Sequence, residues 1–200
     1  MNLSTFTIPL FPLELVVFPG EEQLLHIYEN RYKALISDSL ENNTPFGIPY
    51  YRSGKEQSHG SLVRVTRILK RYPDGRMDIA VEGLQTFSVI GWFAQPSDDV
   101  YGTGFVEYHT HDFQSISFSF LDKFLSGFTP LTNQVLDPDA YEKSDLFTLV
   151  KKLPLTSEQK FRIIGAPDLK SREQASLKYL EFLLLLHKQE EKASGTYFPN

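Results

Sequence analysis

The chain has 200 residues, a formal net charge of −5 and no cysteine. Without cysteine, the sequence holds no disulfide, thiolate metal site or cysteine nucleophile, and its negative charge disfavours wrapping around a nucleic acid. The sequence starts without a positively charged segment, and its longest apolar run, Phe182–Leu186, is far shorter than the ~20 residues of a membrane span. We expect a soluble, cytoplasmic protein that does not enter a membrane.

The first forty residues predict short strands followed by one helix. Apolar segments predict strands over Phe6–Leu10, Leu13–Phe18 and Gln23–Ile27, with a Pro19-Gly20 turn before the third. Asn42–Pro45 ends the helix, because the residue before a proline avoids the helical region. The apolar stripe of the helix has the spacing of an α-helix and consists of Tyr28, Tyr32, Leu35, Ile36 and Leu40.

From Phe46 to Tyr108 the pattern is that of β-structure. A polar loop is expected over residues 52–59, a short connection over 83–85, and a hairpin turn at Pro73-Asp74-Gly75. The alternation of apolar and polar residues is interrupted between Val65 and Ile68, which indicates a bulge. Strands are predicted at Phe46–Tyr51, Leu62–Tyr72, Met77–Glu82, Phe87–Phe93 and Val100–Tyr108. Short strands at this spacing favour a compact, curled antiparallel sheet or a small barrel.

The spacing of the apolar residues changes near Asp112 from that of strands to that of helices, and the pattern over the rest of the chain predicts helices. The first helix ends near Gly127–Pro130 and carries Ile116, Phe120, Phe124 and Phe128 on its apolar face, and a second helix runs from an Asp137-Pro138 cap to Leu153. A third helix begins at a Thr156–Gln159 capping box and stops at Gly165. The last helix is capped by Asp168 or Ser171 and frays from Lys192. Strands followed by helices define an α+β protein. We expect two parts, a β-rich subdomain over residues 1–112 and a helical subdomain over residues 113–200.

Two groups of polar residues are candidates for metal binding or catalysis. His109 and His111 share a strand face beside Asp112, a partial ligand set that needs a further ligand. A solvated strand end is the competing interpretation, and it is the one we expect. A second group, His26, Glu29 and Arg31, lies where a strand meets a helix, and charged hydrogen bonds commonly fix such a crossing. We predict no catalytic residue, no metal and no cofactor.

Three further patterns bear on binding. Gly102-Thr103-Gly104 lacks the third glycine of a nucleotide-binding loop and precedes no helix, so we dismiss it. Tyr50-Tyr51-Arg52, beside the polar loop, would suit a peptide-binding rim, although core packing is expected for at least one tyrosine. The predicted hairpin is basic, which permits RNA binding, although acidic residues interleave with its cations Arg64, Arg67, Lys70, Arg71 and Arg76.

Residues Pro9–Leu35 resemble the start of the substrate-binding domain of the Lon ATP-dependent protease. The family's pattern is matched by Pro9–Leu13, Phe18-Pro19-Gly20, His26–Glu29 and Arg31-Tyr32. Later blocks are similar as well: Pro45-Phe46-Gly47, Gly60–Val65, Pro73-Asp74-Gly75, Val81–Phe87, Leu153–Lys160, Ala166-Pro167-Asp168 and Arg172. The resemblance covers most of the chain.

The resemblance implies a PUA-like curled antiparallel sheet or pseudo-barrel with one inserted helix, followed by a helical bundle. Lon proteases continue into an ATPase and a peptidase, but this sequence has no G-x-x-x-x-G-K-[ST] loop. The implied function is therefore a non-catalytic module that binds unfolded or exposed apolar protein segments, in a groove or by strand addition. RNA binding through the hairpin Arg64 to Arg76 is the alternative. The sequence does not identify the partner-binding residues.

Overall fold

The computed structural model describes residues 5–93 and 100–195 and confirms a mixed α+β fold. The strands are β1 (Thr5–Leu10), β2 (Glu22–Ile27), β3 (Phe46–Arg52), β4 (Lys55–Arg71), β5 (Met77–Trp92) and β6 (Gly102–Tyr108). The α-helices are α1 (Asn30–Asn42), α2 (Phe118–Thr132), α3 (Leu146–Val150), α4 (Ser157–Ile164) and α5 (Leu169–Gly195). Short 3-10 helices cover Thr110–Phe113 and Pro138–Ala140.

The chain forms two compact units. The first, here called the barrel unit, holds the six described strands, α1 and the segment Thr156–Gly165, which carries α4. The second, the helical unit, holds Phe113–Leu155 and the chain from Ala166 onward. α4 thus groups with the strands, although it lies among the helices in the sequence.

β5 connects three ladders of the sheet. Its first part pairs with β2 and β4, and its later part, from Phe87, pairs with β4 and β6. Because β6 also pairs with β1, the order β5-β4-β3-β1-β6 returns to β5 and closes a five-stranded barrel. This confirms the curled sheet. β2 lies outside the ring. Among the ladders between the described strands, β1 pairs with β3 in parallel, at Leu10 and Gly47.

Register shifts bend the long strands of the barrel. The β4–β5 register shifts between Val65 and Arg67 and again after Ile68, which confirms the expected bulge. The predicted hairpin turn is also present. Gly75 has a φ of 82°, and its N–H donates to the Tyr72 carbonyl at 3.0 Å.

The prediction of a strand over Leu13–Phe18 is wrong. This segment is irregular apart from one isolated bridge, and side chains bind its amides. Val17 N–H donates to Ser61 Oγ at 3.0 Å, and Phe18 N–H donates to Glu21 Oε2 at 2.9 Å. Because these partners satisfy the backbone, the segment needs no ladder.

Two expected connections are also wrong. β4 begins at Lys55, inside the expected loop over residues 52–59, because Ser53 and Gly54 form a tight turn with φ values of 54° and 78°. The expected connection over 83–85 lies inside β5. Gly83 is required there, since a side chain would collide with the Phe18 carbonyl.

One face of α1 packs into the main core of the barrel unit. The helix contributes Tyr32, Leu35 and Ile36, none more than 5% exposed. Burial of each such side chain contributes about 2 kcal/mol. The expected stripe is too long, because Tyr28 precedes the helix and is 61% exposed, and Leu40 is also exposed.

Glycine allows close packing in the helical unit. α2 buries Phe120, Phe124 and Phe128, and a Cβ at Gly127 would lie 2.8 Å from Leu180 Cδ2 of α5. The expected end of α2 near Gly127–Pro130 is too early, because the helix continues through Pro130 to Thr132. The left-handed Asn133, with a φ of 56°, then ends it.

The expected helix from Asp137 to Leu153 is two elements. A 3-10 turn follows Asp137, and α3 has its own cap, Asp145, whose Oδ1 accepts the Thr148 N–H at 2.9 Å. The caps at Thr156 and Asp168 are confirmed.

α5 is helical to Gly195, beyond the expected start of fraying at Lys192, and the last five residues of the expected tail lie outside the described part of the chain. No helix among residues 5–93 and 100–195 is long and apolar enough to span a bilayer.

Candidate functional site

A hydrogen-bonded network joins the candidate His109 to the barrel wall. His109 Nδ1 lies 2.7 Å from Thr86 Oγ1, and its Nε2 lies 2.8 Å from Ser88 Oγ. The Thr86 hydroxyl donates to Asp112 Oδ1 at 3.0 Å, so it accepts from Nδ1–H of His109. In the neutral ring, Nε2 then accepts from Ser88, and Ser88 accepts from His59 Nδ1 at 3.2 Å. Two chains of hydrogen bonds therefore meet at His109: His59 donates to Ser88 and Ser88 donates to His109, while His109 donates to Thr86 and Thr86 donates to Asp112.

Metal binding would disrupt this network. His109, His111 and Asp112 each place a ligand atom within 4.8 Å of the others. To bind an ion, His109 would have to release Ser88 or Thr86. Asp112 is 1% exposed and already accepts two hydrogen bonds from Thr86. The geometry favours a structural network. The expected solvated strand end is wrong, because the strand ends at Tyr108 and Asp112 lies buried in a 3-10 helix. The absence of a metal stays a prediction.

The candidate cluster at the strand-to-helix joint separates into two pairs. His26 Nδ1 lies 2.6 Å from Asp78 Oδ1 across the β2–β5 ladder. Arg31 binds Glu29 instead, with Nε 3.1 Å and Nη2 2.9 Å from Oε2. The first pair ties β2 to β5, and the second lies at the N-terminus of α1. Hydrogen bonds from His26 and then Tyr72 lower the pKa of Asp78.

Carboxylates face two arginines of the basic hairpin. Arg64 Nη2 lies 2.7 Å from Glu82 Oε2, and Arg67 Nη2 lies 2.6 Å from Glu22 Oε1. Arg64 and Glu82 are neighbours on the adjacent strands β4 and β5, whereas Arg67 of β4 reaches across β5 to Glu22 of β2. An approaching polyanion would have to compete with these partners.

The hairpin tip pairs its cations with an aromatic ring and a carboxylate. Lys70 Nζ lies 4.4 Å and Arg76 Cζ 5.1 Å from the centre of the Tyr72 ring. Arg76 Nε also lies 2.7 Å from Asp74 Oδ2. The backbone N–H of Arg76 is the main reason that the pKa of Asp74 is lowered.

The expected peptide-binding rim contains one core residue and two surface residues. Tyr50 is 2% exposed and stacks on Phe161 of α4 at 4.8 Å. Tyr51 is 37% exposed. Arg52 Nη1 lies 2.6 Å from Glu158 Oε1, and this hydrogen bond lowers the pKa of Glu158. Tyr51 is therefore the aromatic residue available for binding.

Tyr51 lines an open cavity of about 330 Å³, here called the Tyr51 cavity. Its walls come from the segment after β1, the start of α1 and the end of β3. They consist of Phe11, Pro12, Leu13, Glu29, Arg31, Tyr32 and Tyr51. Apolar side chains and the charged pair Glu29 and Arg31 line it together, and polar atoms make up the larger part of the exposed lining. The sequence indicated Tyr51, but its companions lie far from it along the chain.

The structure also reveals an exposed aromatic pair that the sequence did not indicate. The rings of Phe93 and Phe105 lie 4.5 Å apart, and each residue is 41% exposed. The sequence pattern places Phe93 on the same face of its strand as Phe87, Val89 and Gly91. The register shift between Val89 and Gly91 moves Gly91 opposite Phe105 and brings Phe93 to that side.

The glycines of the dismissed nucleotide loop have a packing role. Gly102 and Gly104 lie in β6 opposite Leu10 and Ile8 of β1. A Cβ at Gly104 would lie 2.6 Å from Leu10 Cδ1. Glycine therefore permits close packing inside the barrel.

Residues 7–181 match the family described as the ATP-dependent protease La (LON) substrate-binding domain. The chain belongs to this family. The resemblance in the sequence motifs is thereby confirmed, and the Lon substrate-binding domain covers both the barrel unit and much of the helical unit. No curated protein matches the chain.

Two solved structures share the fold of this Lon substrate-binding domain. The Lon N-terminal domain protein from Xanthomonas campestris aligns with a TM-score of 0.63 at 21% identity, over 84% of this chain and 96% of that one. The N-terminal domain of the Mycobacterium avium complex Lon protease aligns with a TM-score of 0.65 at 14% identity, over 88% and 98%.

Proposed function

We propose that this Lon substrate-binding domain is a non-catalytic module that binds exposed apolar segments of other proteins at the Tyr51 cavity. The observation that carries the proposal is the half-buried Tyr51 beside Leu13 in an open cavity. A cavity of this size accepts one or two side chains, not a folded surface. We therefore expect weak, sequence-tolerant binding with a Kd of about 10–100 μM.

Membership of the family supports substrate binding, and two further observations support the absence of catalysis. The 200 residues contain no G-x-x-x-x-G-K-[ST] loop. Among the histidines that could act as bases, His109 is held in a hydroxyl network with a buried carboxylate. We infer that the protein hydrolyses neither ATP nor peptides, and that it acts in the cytoplasm, which suits a cysteine-free chain.

Binding to an unfolded client tests the function and its location. The anisotropy of fluorescein-labelled casein is measured against increasing concentrations of the protein. The Tyr51→Ser variant should bind about tenfold more weakly, because it removes the aromatic wall. Leu69→Ser is the matched control, since Leu69 is 47% exposed and lies outside the cavity. No association of the wild type at tens of micromolar would contradict the function, whereas equal binding by Tyr51→Ser would contradict only the site.

RNA binding through Arg64 to Arg76 is the second candidate. Its support is the hairpin tip, where Lys70 and Arg76 flank the Tyr72 ring and could accompany a stacked base. This candidate predicts binding that weakens steeply with salt and with the double variant Arg67→Glu, Arg71→Glu. Salt-independent binding would exclude it.

A further inference from the structure

β2 is an edge strand with backbone groups directed away from the barrel. Among the strands that the structure describes, it pairs with β5 alone. Gly83 N–H donates to the Glu21 carbonyl at 2.9 Å, whereas the Ala80 carbonyl accepts from the Thr66 hydroxyl on the β4 side. Residues of an antiparallel strand alternate between inward and outward bonding. The residues whose N–H and C=O groups face the outer edge are therefore Glu22, Leu24 and His26.

The side chains of these three residues are also accessible. Leu24 is 57% exposed, and the side chains of Glu22 and His26 are each 44% exposed. An exposed edge of this kind is a template for another strand. The order of its side chains indicates which strand fits.

The edge is complementary to itself. When two copies of β2 align antiparallel about Leu24, that residue faces its equivalent, while Glu22 of each copy faces His26 of the other. The outward groups then exchange two backbone hydrogen bonds at each pair, as a regular antiparallel ladder requires. The pairing also brings an acidic residue opposite an imidazole on both sides of the central leucines.

Glu22 and His26 of the edge each have a charged partner in their own chain. Glu22 is bound to Arg67 in its own chain, and His26 is bound to Asp78. Pairing the two strands thus places the Glu22 carboxylate of each copy between its own Arg67 and the His26 imidazole of the other copy. Displacement of the register by two residues would put Glu22 opposite Leu24 and lose this arrangement.

We propose that β2 is a self-association edge, through which two copies of this chain pair antiparallel about Leu24. The proposal is independent of client binding at the Tyr51 cavity. The contact is one short strand, well below the area of a standard stable interface, so the dimer forms only at high micromolar concentration.

The test is the mass of the full chain by sedimentation velocity, from a few micromolar to several hundred micromolar. The wild type should shift from 22.9 kDa towards twice that value. Leu24→Pro removes the central outward N–H but no hydrogen bond to β5, and edge strands tolerate such a proline. This variant should remain monomeric. Leu24→Thr keeps that N–H and should still associate. A monomeric wild type, or a dimeric Leu24→Pro, would overturn the proposal.

Charge variants test the register even if Leu24→Pro fails to fold. Glu22→Lys replaces the carboxylate opposite His26 by an ammonium group, and His26→Glu places two carboxylates opposite each other, so each variant alone should be monomeric. A mixture of the two should associate again, because one junction then pairs the new lysine with the new glutamate and the other keeps the native pair of Glu22 and His26. Failure of the mixture to recover the dimer would overturn the proposed register. Circular dichroism of each variant verifies that the fold is retained.

Discussion

Asp112 accepts two hydrogen bonds from a single residue, Thr86. The Thr86 amide donates to Oδ2 at 2.5 Å, and its hydroxyl donates to Oδ1 at 3.0 Å. Both residues are fully buried, at 1% and 0% exposure. One carboxylate thereby fastens the chain after β6 to the middle of β5.

Replacing this carboxylate should be costly. Asp112→Ala leaves the buried amide and hydroxyl of Thr86 without their acceptor, which should lower the free energy of unfolding by about 3 kcal/mol. Thr86→Val removes only the hydroxyl and should cost about 1 kcal/mol. Urea unfolding measures both values. A loss for Asp112→Ala no larger than that for Thr86→Val would refute the assigned role of the carboxylate.

Two glycines of β5 should respond differently to the same substitution. Gly83→Ala drives a methyl group into the Phe18 carbonyl and should lower the free energy of unfolding by about 2 kcal/mol. Gly91→Ala is the control, because its new Cβ would lie 3.8 Å from Phe105 Cδ2, an ordinary contact. Thermal denaturation compares the two. Equal melting temperatures would show that the strand can move away from Phe18.

The Asp78 carboxylate should titrate below its ordinary range. Hydrogen bonds from His26 and Tyr72 lower its pKa in the folded protein. Its contribution to stability is thus complete above the unfolded pKa of about 3.9 and is lost as the pH falls through the lower folded value. Carboxyl-carbon NMR should show that Tyr72→Phe raises this pKa and that His26→Ala raises it further. An unchanged pKa in both variants would exclude these hydrogen bonds as the cause.

The capping box of α4 should stabilise the barrel unit. Thr156 Oγ1 accepts the Gln159 N–H, and the Gln159 side chain accepts the Thr156 N–H at 2.8 Å. Thr156→Ala should lower the free energy of unfolding by about 1 kcal/mol, while Thr156→Ser retains the acceptor and most of the stability. Urea unfolding measures both, and the cap has no role if the two variants are equally stable.

Features set by neighbouring residues could be predicted from the sequence. The caps at Thr156 and Asp168, the turn at Gly75 and the bulge near Val65 all depend on residues close along the chain. The segment Leu13–Phe18 could not be predicted, because the group that binds its Val17 amide is Ser61, which belongs to a distant strand. Local pattern contains no information about that partner.

The candidate site could likewise be predicted from the sequence only in part. Tyr51 was indicated because an aromatic residue beside a polar loop is often accessible. The cavity next to it was not, since Leu13 and Arg31 reach it only after the barrel has formed. The exposure of Phe93 depends on the bulge before Gly91, which reverses the face expected from simple alternation.

The three ladders of β5 have a consequence for hydrogen exchange. The amides in the middle of this strand donate in alternation to β4 and to β2 or β6, so the strand is exposed as a whole only when both pairings open. Its protection should therefore approach that of global unfolding. The outward amides of Glu22, Leu24 and His26 should exchange fastest among the strands of the monomer. Slowing of these three amides as the protein concentration rises would locate the dimer contact residue by residue.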